Sequence, residues 1–196
     1  VAFKITTTPT EEPITLGEAK DWLKVHPDVA EDDNLIRALI KAARVWAERH
    51  AGVCLIEQTV EEVWDFFPEY GVFELAMAPL TEVTKVEYRN DAAAYTTWAS
   101  SNYTVDTYSY PPRVVSKSTL PPSISLQNQM PNLWRITYKA GTTSAKNVDA
   151  NVKTAMLLQI GMMYENREDI PILKNGANPT ARSAYALLSL SRVNLI

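Results

Sequence analysis

Glu61, Glu62 and Asp65 cluster around Trp64, and paired carboxylates beside an aromatic platform are the residue types that hydrolyse glycosidic bonds. One acid would protonate the leaving group while the other served as base or nucleophile. The plainer reading of acids along a strand is a solvated face. A second group, Asp28, Glu31, Asp32 and Asp33, offers oxygen ligands for a cation but lacks the glycine turn and distal glutamate of a calcium loop. It stands directly before an apolar helical run, where carboxylates cap amide groups and favour the positive end of the helix dipole. Two distant histidines, His26 and His50, and one cysteine, Cys54, exclude an internal disulfide and any cysteine-based zinc site. The six glycines form no phosphate-binding loop, and no serine stands in a Gly-x-Ser-x-Gly elbow. Tyr95, Trp98, Tyr103, Tyr108 and Tyr110 have the composition of a ligand-binding face, though sheet packing explains such residues equally. Met156, Met162 and Met163 could form an adaptable partner surface or a core stripe.

These residues need elements to hold them. At 196 residues and 46% hydrophobic content the chain can bury its own core. No apolar run approaches the roughly 20 residues of a membrane span, and the opening residues lack the pattern of a signal peptide. A soluble intracellular product is expected. Net charge is −4, with no dense basic stripe, which argues against a body that binds nucleic acid non-specifically. The charge is uneven, because Asp169 is the last acid and only Lys174, Arg182 and Arg192 follow it.

Thr15 and Glu18 form a capping-box pattern, with Ile14 placed to staple onto Ala19, and predict a helix over 15–25 that ends before Pro27. A second helix is predicted over 32–52, with Leu35, Leu39, Ala42, Ala43 and Trp46 on its apolar face, widened by Ile36 and Ile40, and Gly52 as its left-handed end. Residues 1–13 read as an extended Thr- and Pro-rich segment. From 53 to 141 the sequence turns to short strands, clearest where Trp134, Ile136 and Tyr138 alternate with Arg135, Thr137 and Lys139, and where Val83, Lys85 and Glu87 alternate with Thr84, Val86 and Tyr88. Asn90-Asp91 reads as a turn, and Pro111-Pro112 and Pro121-Pro122 as exposed loops or edges. Val152, Met156, Ile160 and Met163 predict a Met-rich helix over 149–167, and Ala184, Leu187 and Leu188 a short one over 180–190. The expected fold class is α+β, a helical body of four helices carrying an inserted antiparallel β module in a single domain, 1–196.

The order of these parts resembles phage head-tail connector proteins, also called adaptor or head-completion proteins, of long-tailed phages and gene transfer agents. The likeness is carried by Ile14-Thr15-Leu16-Gly17-Glu18-Ala19-Lys20-Asp21-Trp22-Leu23, Glu31-Asp32-Asp33-Asn34-Leu35-Ile36 and Ala42-Ala43-Arg44-Val45-Trp46-Ala47-Glu48. It continues through Cys54-Leu55-Ile56-Glu57-Gln58-Thr59, Thr81-Glu82-Val83-Thr84-Lys85-Val86-Glu87-Tyr88, Ile136-Thr137-Tyr138-Lys139-Ala140-Gly141 and Tyr164-Glu165-Asn166-Arg167-Glu168. The Tyr- and Pro-rich stretch from 102 to 129 departs from the pattern.

The resemblance implies a structural subunit of the virion, assembled in the host cytoplasm and placed at the head-tail interface. It implies a ring, commonly of twelve subunits and possible as a monomer in isolation, that docks under the portal protein, extends the DNA channel and carries a stopper or tail-completion protein. DNA would pass without sequence-specific binding. No catalytic, cofactor or metal residues carry over, and no membrane is involved. The acid-free end, with Arg182, Tyr185, Leu187, Leu188, Arg192 and Ile196, reads as a portal-docking tail approached through Pro171 and Asn175-Gly176 and ordered on binding. Removing 178–196 should then leave a folded body. The rival functions are a carbohydrate- or protein-binding β module and a hydrolase using Glu61, Glu62 or Asp65.

Overall fold

Thr15 starts the first helix, α1 (Leu16–Leu23), by the reciprocal capping its sequence implies. Its hydroxyl accepts the Glu18 N–H at 3.2 Å, and the Glu18 carboxylate accepts the Thr15 N–H at 2.7 Å. Those bonds, the backbone one foremost, hold the Glu18 carboxyl below its ordinary range. Thr15→Ala should therefore lower unfolding stability by about 0.5–2 kcal/mol, read as a shift in the denaturation midpoint. An unchanged midpoint would show that the cap contributes nothing. Because the Glu18 carboxyl is lowered on folding, this contribution is present at neutral pH and fades as pH falls into the acid range.

The computed structural model describes residues 2–89, 94–117, 131–166 and 179–191. Asn90-Asp91, Pro121-Pro122, Arg167, Glu168, Asp169, Pro171, Lys174, Asn175-Gly176, Arg192 and Ile196 lie outside the described residues.

The helix ends earlier than Pro27 requires, because Lys24 takes a left-handed conformation (φ 60°) after Leu23. The following loop is tied down by Lys20, which is buried and donates to the carbonyls of Pro27 (3.1 Å) and Val29 (2.8 Å) while pairing with Asp33. The second helix, α2 (Asp33–Ala51), opens with no side-chain bond from Asp32 to its own amides. Asp32 instead accepts the Tyr164 hydroxyl. The buried face of α2 runs through Ile36, Ile40, Ala43 and Ala47, rotated from the expected one: Leu35, Leu39 and Trp46 are half-buried and Ala42 is exposed. Gly52 closes α2 in the left-handed conformation, φ 69°, as its position predicts.

Asp149 caps α3 (Ala150–Glu165) by accepting the Asn151 N–H at 2.7 Å, and α4 (Pro179–Ser191) follows. Val152, Ala155, Met156 and Ile160 of α3 join the α2 face, Ile14, Leu55 and Ile56 in one core, to which α4 adds Ala184 and Leu188. The Met stripe is thus largely interior, Met156 being fully buried, while Met163 lies half-buried at the margin. This helical unit comprises Thr10–Ile56 and Thr143–Ile196.

The second unit is built from Val1–Pro9 and Glu57–Thr142. The extended opening forms a strand, β1 (Ala2–Thr7), which pairs with β2 (Gln58–Trp64). With β3 (Val72–Glu74), β4 (Leu80–Arg89), β5 (Tyr95–Trp98), β6 (Tyr103–Asp106), β7 (Arg113–Ser116) and β8 (Trp134–Ala140), it makes an antiparallel five-stranded sheet, β1-β2-β8-β4-β5, and a three-stranded sheet, β3-β7-β6. The alternation of β8 holds, with Trp134, Ile136 and Tyr138 fully buried. That of β4 is interrupted by two register shifts, at Leu80/Glu82 and Val83/Lys85. Phe73 of the small sheet meets Trp64 and Trp134 of the large one, ring centroids 5.2 and 5.3 Å apart, and Phe67, Trp98 and Tyr103 extend the aromatic core. Pro111 and Pro112 stand just outside β7, but Pro112 is buried, its carbonyl accepting the Leu75 N–H at 2.8 Å. The fold is α+β with antiparallel sheets.

Candidate functional site

Strand geometry separates the three carboxylates that suggested hydrolysis. Glu61 faces outward, paired with Lys4 at 2.9 Å and Arg135 at 3.7 Å. Glu62, its neighbour on β2, points inward and is fully buried, accepting from the Tyr138 hydroxyl (2.9 Å) and the Ala76 N–H (3.0 Å). Burial raises its carboxyl, against the pull of those two donors. Asp65 accepts the Asn132 N–H at 2.6 Å. No shared cleft brings Glu61 and Glu62 together, because successive side chains of a strand lie on opposite faces.

The acidic run before α2 is likewise divided among separate partners, Asp33 to Lys20 and Asp32 to Tyr164. Among the described residues no three His, Cys, Asp or Glu side chains gather as a metal site would require. His50 donates from Nδ1 to the Trp46 carbonyl, 2.8 Å away, and His26 stands beside Asp28. Cys54 is buried, and burial first, then the Glu48 carboxylate, push its thiol up to about 12. Iodoacetamide at pH 8 should therefore leave the native protein unlabelled and label it after denaturation; rapid labelling of the native chain would contradict that burial.

The aromatic residues do not form a platform. Trp98 and Tyr103 are buried in the sandwich core, Tyr108 is fully exposed, and Tyr95 lies on the outer face of the large sheet. There Arg135 stacks over the Tyr95 ring at 3.8 Å and Arg89 at 4.5 Å. The stack walls a cavity of about 390 Å³ that Lys4 and Glu61 also line. These residues are remote in sequence, and only the antiparallel register, Lys4 beside Glu61 and Arg89 beside Tyr95, brings them together.

Two apolar features mark the surface of the helical unit. Trp22 is 44% exposed and lies over Gly161 of α3, where an added Cβ would meet its indole nitrogen at 3.3 Å. It borders a second cavity, of about 580 Å³, with Leu157. On α4, the residues expected to dock a partner divide between two faces. Leu188 is 2% exposed and Leu187 packs against the same core, so they hold the helix in place. Arg182 is exposed, and Tyr185 keeps 47% of its surface while its ring meets Trp46 (5.4 Å) and His50 (4.9 Å) of α2. Removing 178–196, expected to leave a folded body, would take Ala184 and Leu188 out of the core of the helical unit.

No protein-family model matches the chain, and no curated protein does. Solved structures do match. A chain in the neck of an empty gene transfer agent particle, computed with six-fold symmetry, superposes with a TM-score of 0.77 at 18% identity, over 100% of this chain and 97% of that one. A chain in the virion of a native gene transfer agent particle gives 0.74 at 19%, and one in a native neck computed with twelve-fold symmetry gives 0.71 at 20%, with the same coverage of both chains. At such identities the likeness establishes a shared fold.

Proposed function

We propose that the chain is a structural subunit of a tailed-particle neck, an adaptor that forms a ring under the capsid portal, extends the DNA channel and carries the stopper or tail. The observation that carries this reading is the reciprocal, nearly complete coverage of neck chains at TM-scores of 0.71–0.77. The two units act together as one connector subunit of a virion. The ordered motifs at 14–59, 81–88 and 136–168 support the same assignment, and the separated environments of Glu61, Glu62 and Asp65 favour a structural role over hydrolysis.

A ring needs two different, complementary faces on every subunit. Exposed Trp22, Arg182 and Tyr185 are available on the helical unit, and the Arg182 and Tyr185 face of α4 is the portal-docking surface in this reading; Arg192 and Ile196, assigned to it from the sequence, lie outside the described residues. A chain of net charge −4 suits a channel through which DNA must slide, since a strongly basic wall would hold phosphates. Deleting the gene from the particle-producing host tests the assignment. DNA-filled heads without tails, restored to tailed particles by complementation, are the expected result. Normal tailed particles lacking this chain would refute it.

A further inference from the structure

The basic cavity on the outer face of the large sheet has no part in the core of its own unit. Lys4, Arg89 and Arg135 line it with Glu61 as the single carboxylate, in a chain that is acidic as a whole. Arg135 is satisfied by Glu87 at 2.8 Å and approaches Glu61 at 3.7 Å, and Lys4 is satisfied by Glu61. Arg89 differs. Its Nε is buried without a hydrogen-bond acceptor among the described residues, and its guanidinium carbon stands 4.5 Å from the Tyr95 ring centre at the wall of this cavity. No carboxylate pairs with Arg89 among the described residues, and a cationic wall with one guanidinium lacking a counter-ion favours an anion.

The same chain exposes a matching surface. Between α1 and α2, residues 27–31 are all exposed, with Asp28 and Glu31 flanking Val29. The loop is nevertheless held in shape from beneath, because buried Lys20 binds the Pro27 and Val29 carbonyls and Asp33. A projecting acidic loop fixed in advance gives up little conformational freedom when it docks.

We propose that the Arg89 pocket of one subunit receives the Asp28 and Glu31 loop of a second copy of the chain. Loop and pocket are different surfaces, so the contact is head-to-tail, as a closed ring requires, and its opposite charges set register between neighbours. The inference rests on the ring reading above and names the faces that make the ring.

Sedimentation velocity of the full chain at low and physiological salt tests it. The wild type should self-associate with rising concentration, less so at higher salt. Arg89→Glu, and separately the double variant D28K/E31K, should each weaken association about tenfold or more, since each sets like charges against each other. An equimolar mixture of the two variants should restore it, because alternating copies then place a lysine loop in a glutamate pocket and an acidic loop in an arginine pocket. Arg89→Gln, which keeps the hydrogen-bonding capacity without charge, should fall between wild type and Arg89→Glu, and circular dichroism of each variant should match the wild type. A monomeric wild type, charge variants that associate normally, or a mixture that stays apart would each overturn the pairing. If those variants still complement the gene deletion with intact tailed particles, the pairing fails while the adaptor reading stands; failure of the deletion test itself would remove the adaptor reading.

Discussion

Glu48→Ala is expected to destabilise the protein by about 3–5 kcal/mol, the range for breaking a buried ion pair by removing one partner. Glu48 is 5% exposed and serves two donors at once. One carboxylate oxygen accepts the Leu55 N–H at 3.0 Å, and the other accepts Arg44 at 2.9 Å. Arg44, itself 7% exposed, spends its Nε on Glu12 at 2.8 Å. The Glu48 carboxylate therefore joins α2 to the segment leaving Gly52, and Arg44 extends the network to Glu12 on the approach to α1. Alanine would strand a buried amide and leave the guanidinium with Glu12 alone. Glu48→Gln keeps an acceptor for Leu55 but not the charge, so it should cost less than alanine. Urea denaturation of the three proteins measures the order, and a loss below about 1 kcal/mol for alanine would mean that water replaces the carboxylate without penalty. Cys54 supplies an independent readout, since its thiol lies under the same segment and should alkylate faster once Glu48 is gone.

Features legible in the sequence are those whose cause is local. Thr15 with Glu18, and Gly52 after Ala51, work through bonds spanning three or four residues, so the pattern and the structure coincide. The β8 alternation is equally local, because Trp134, Ile136 and Tyr138 must share a face whichever strands flank them. The features that were not legible depend on distant partners. Residues 2–7, read as extended, have no buried position, and they become a strand only by pairing with 59–63. On α2 the fully buried positions are Ile36, Ile40, Ala43 and Ala47, while the larger Leu39 and Trp46 pack half-buried against the same core, a division that only the neighbouring elements decide. The α4 segment reads as a free tail from its charges, whereas Ala184 and Leu188 show their role only once α2 and α3 are in place. The same holds for the candidate sites. Three nearby carboxylates were conspicuous in the sequence and are dispersed by strand geometry. The Arg89 pocket, assembled from five strands, has no sequence signature at all.

The sandwich unit should depend most on one residue, and Trp134→Ala is expected to cost about 3–5 kcal/mol. Trp134 is fully buried at the centre of the aromatic core, with Phe67, Phe73, Tyr88 and Trp98 all at centroid distances of 5.1–5.6 Å. Both sheets contribute to that shell, so alanine opens a cavity where the sheets meet and no single neighbour can collapse into it. Trp134→Phe separates packing from polarity. The indole N–H is buried without a hydrogen-bond partner among the described residues, so replacing it by a benzyl ring removes an unsatisfied donor along with some volume. Phenylalanine should accordingly retain most of the stability that alanine loses, because a ring at this position keeps contacts of the kind Trp134 makes, T-shaped with Trp98 and tilted with Phe67, Phe73 and Tyr88. Equilibrium denaturation of wild type, Trp134→Phe and Trp134→Ala measures both differences, with circular dichroism as the probe since fluorescence changes when a tryptophan is removed. If phenylalanine proved as costly as alanine, the N–H would have a partner essential to the fold, and the stability of the sheet pair would lie in a polar bond and not in the packed rings.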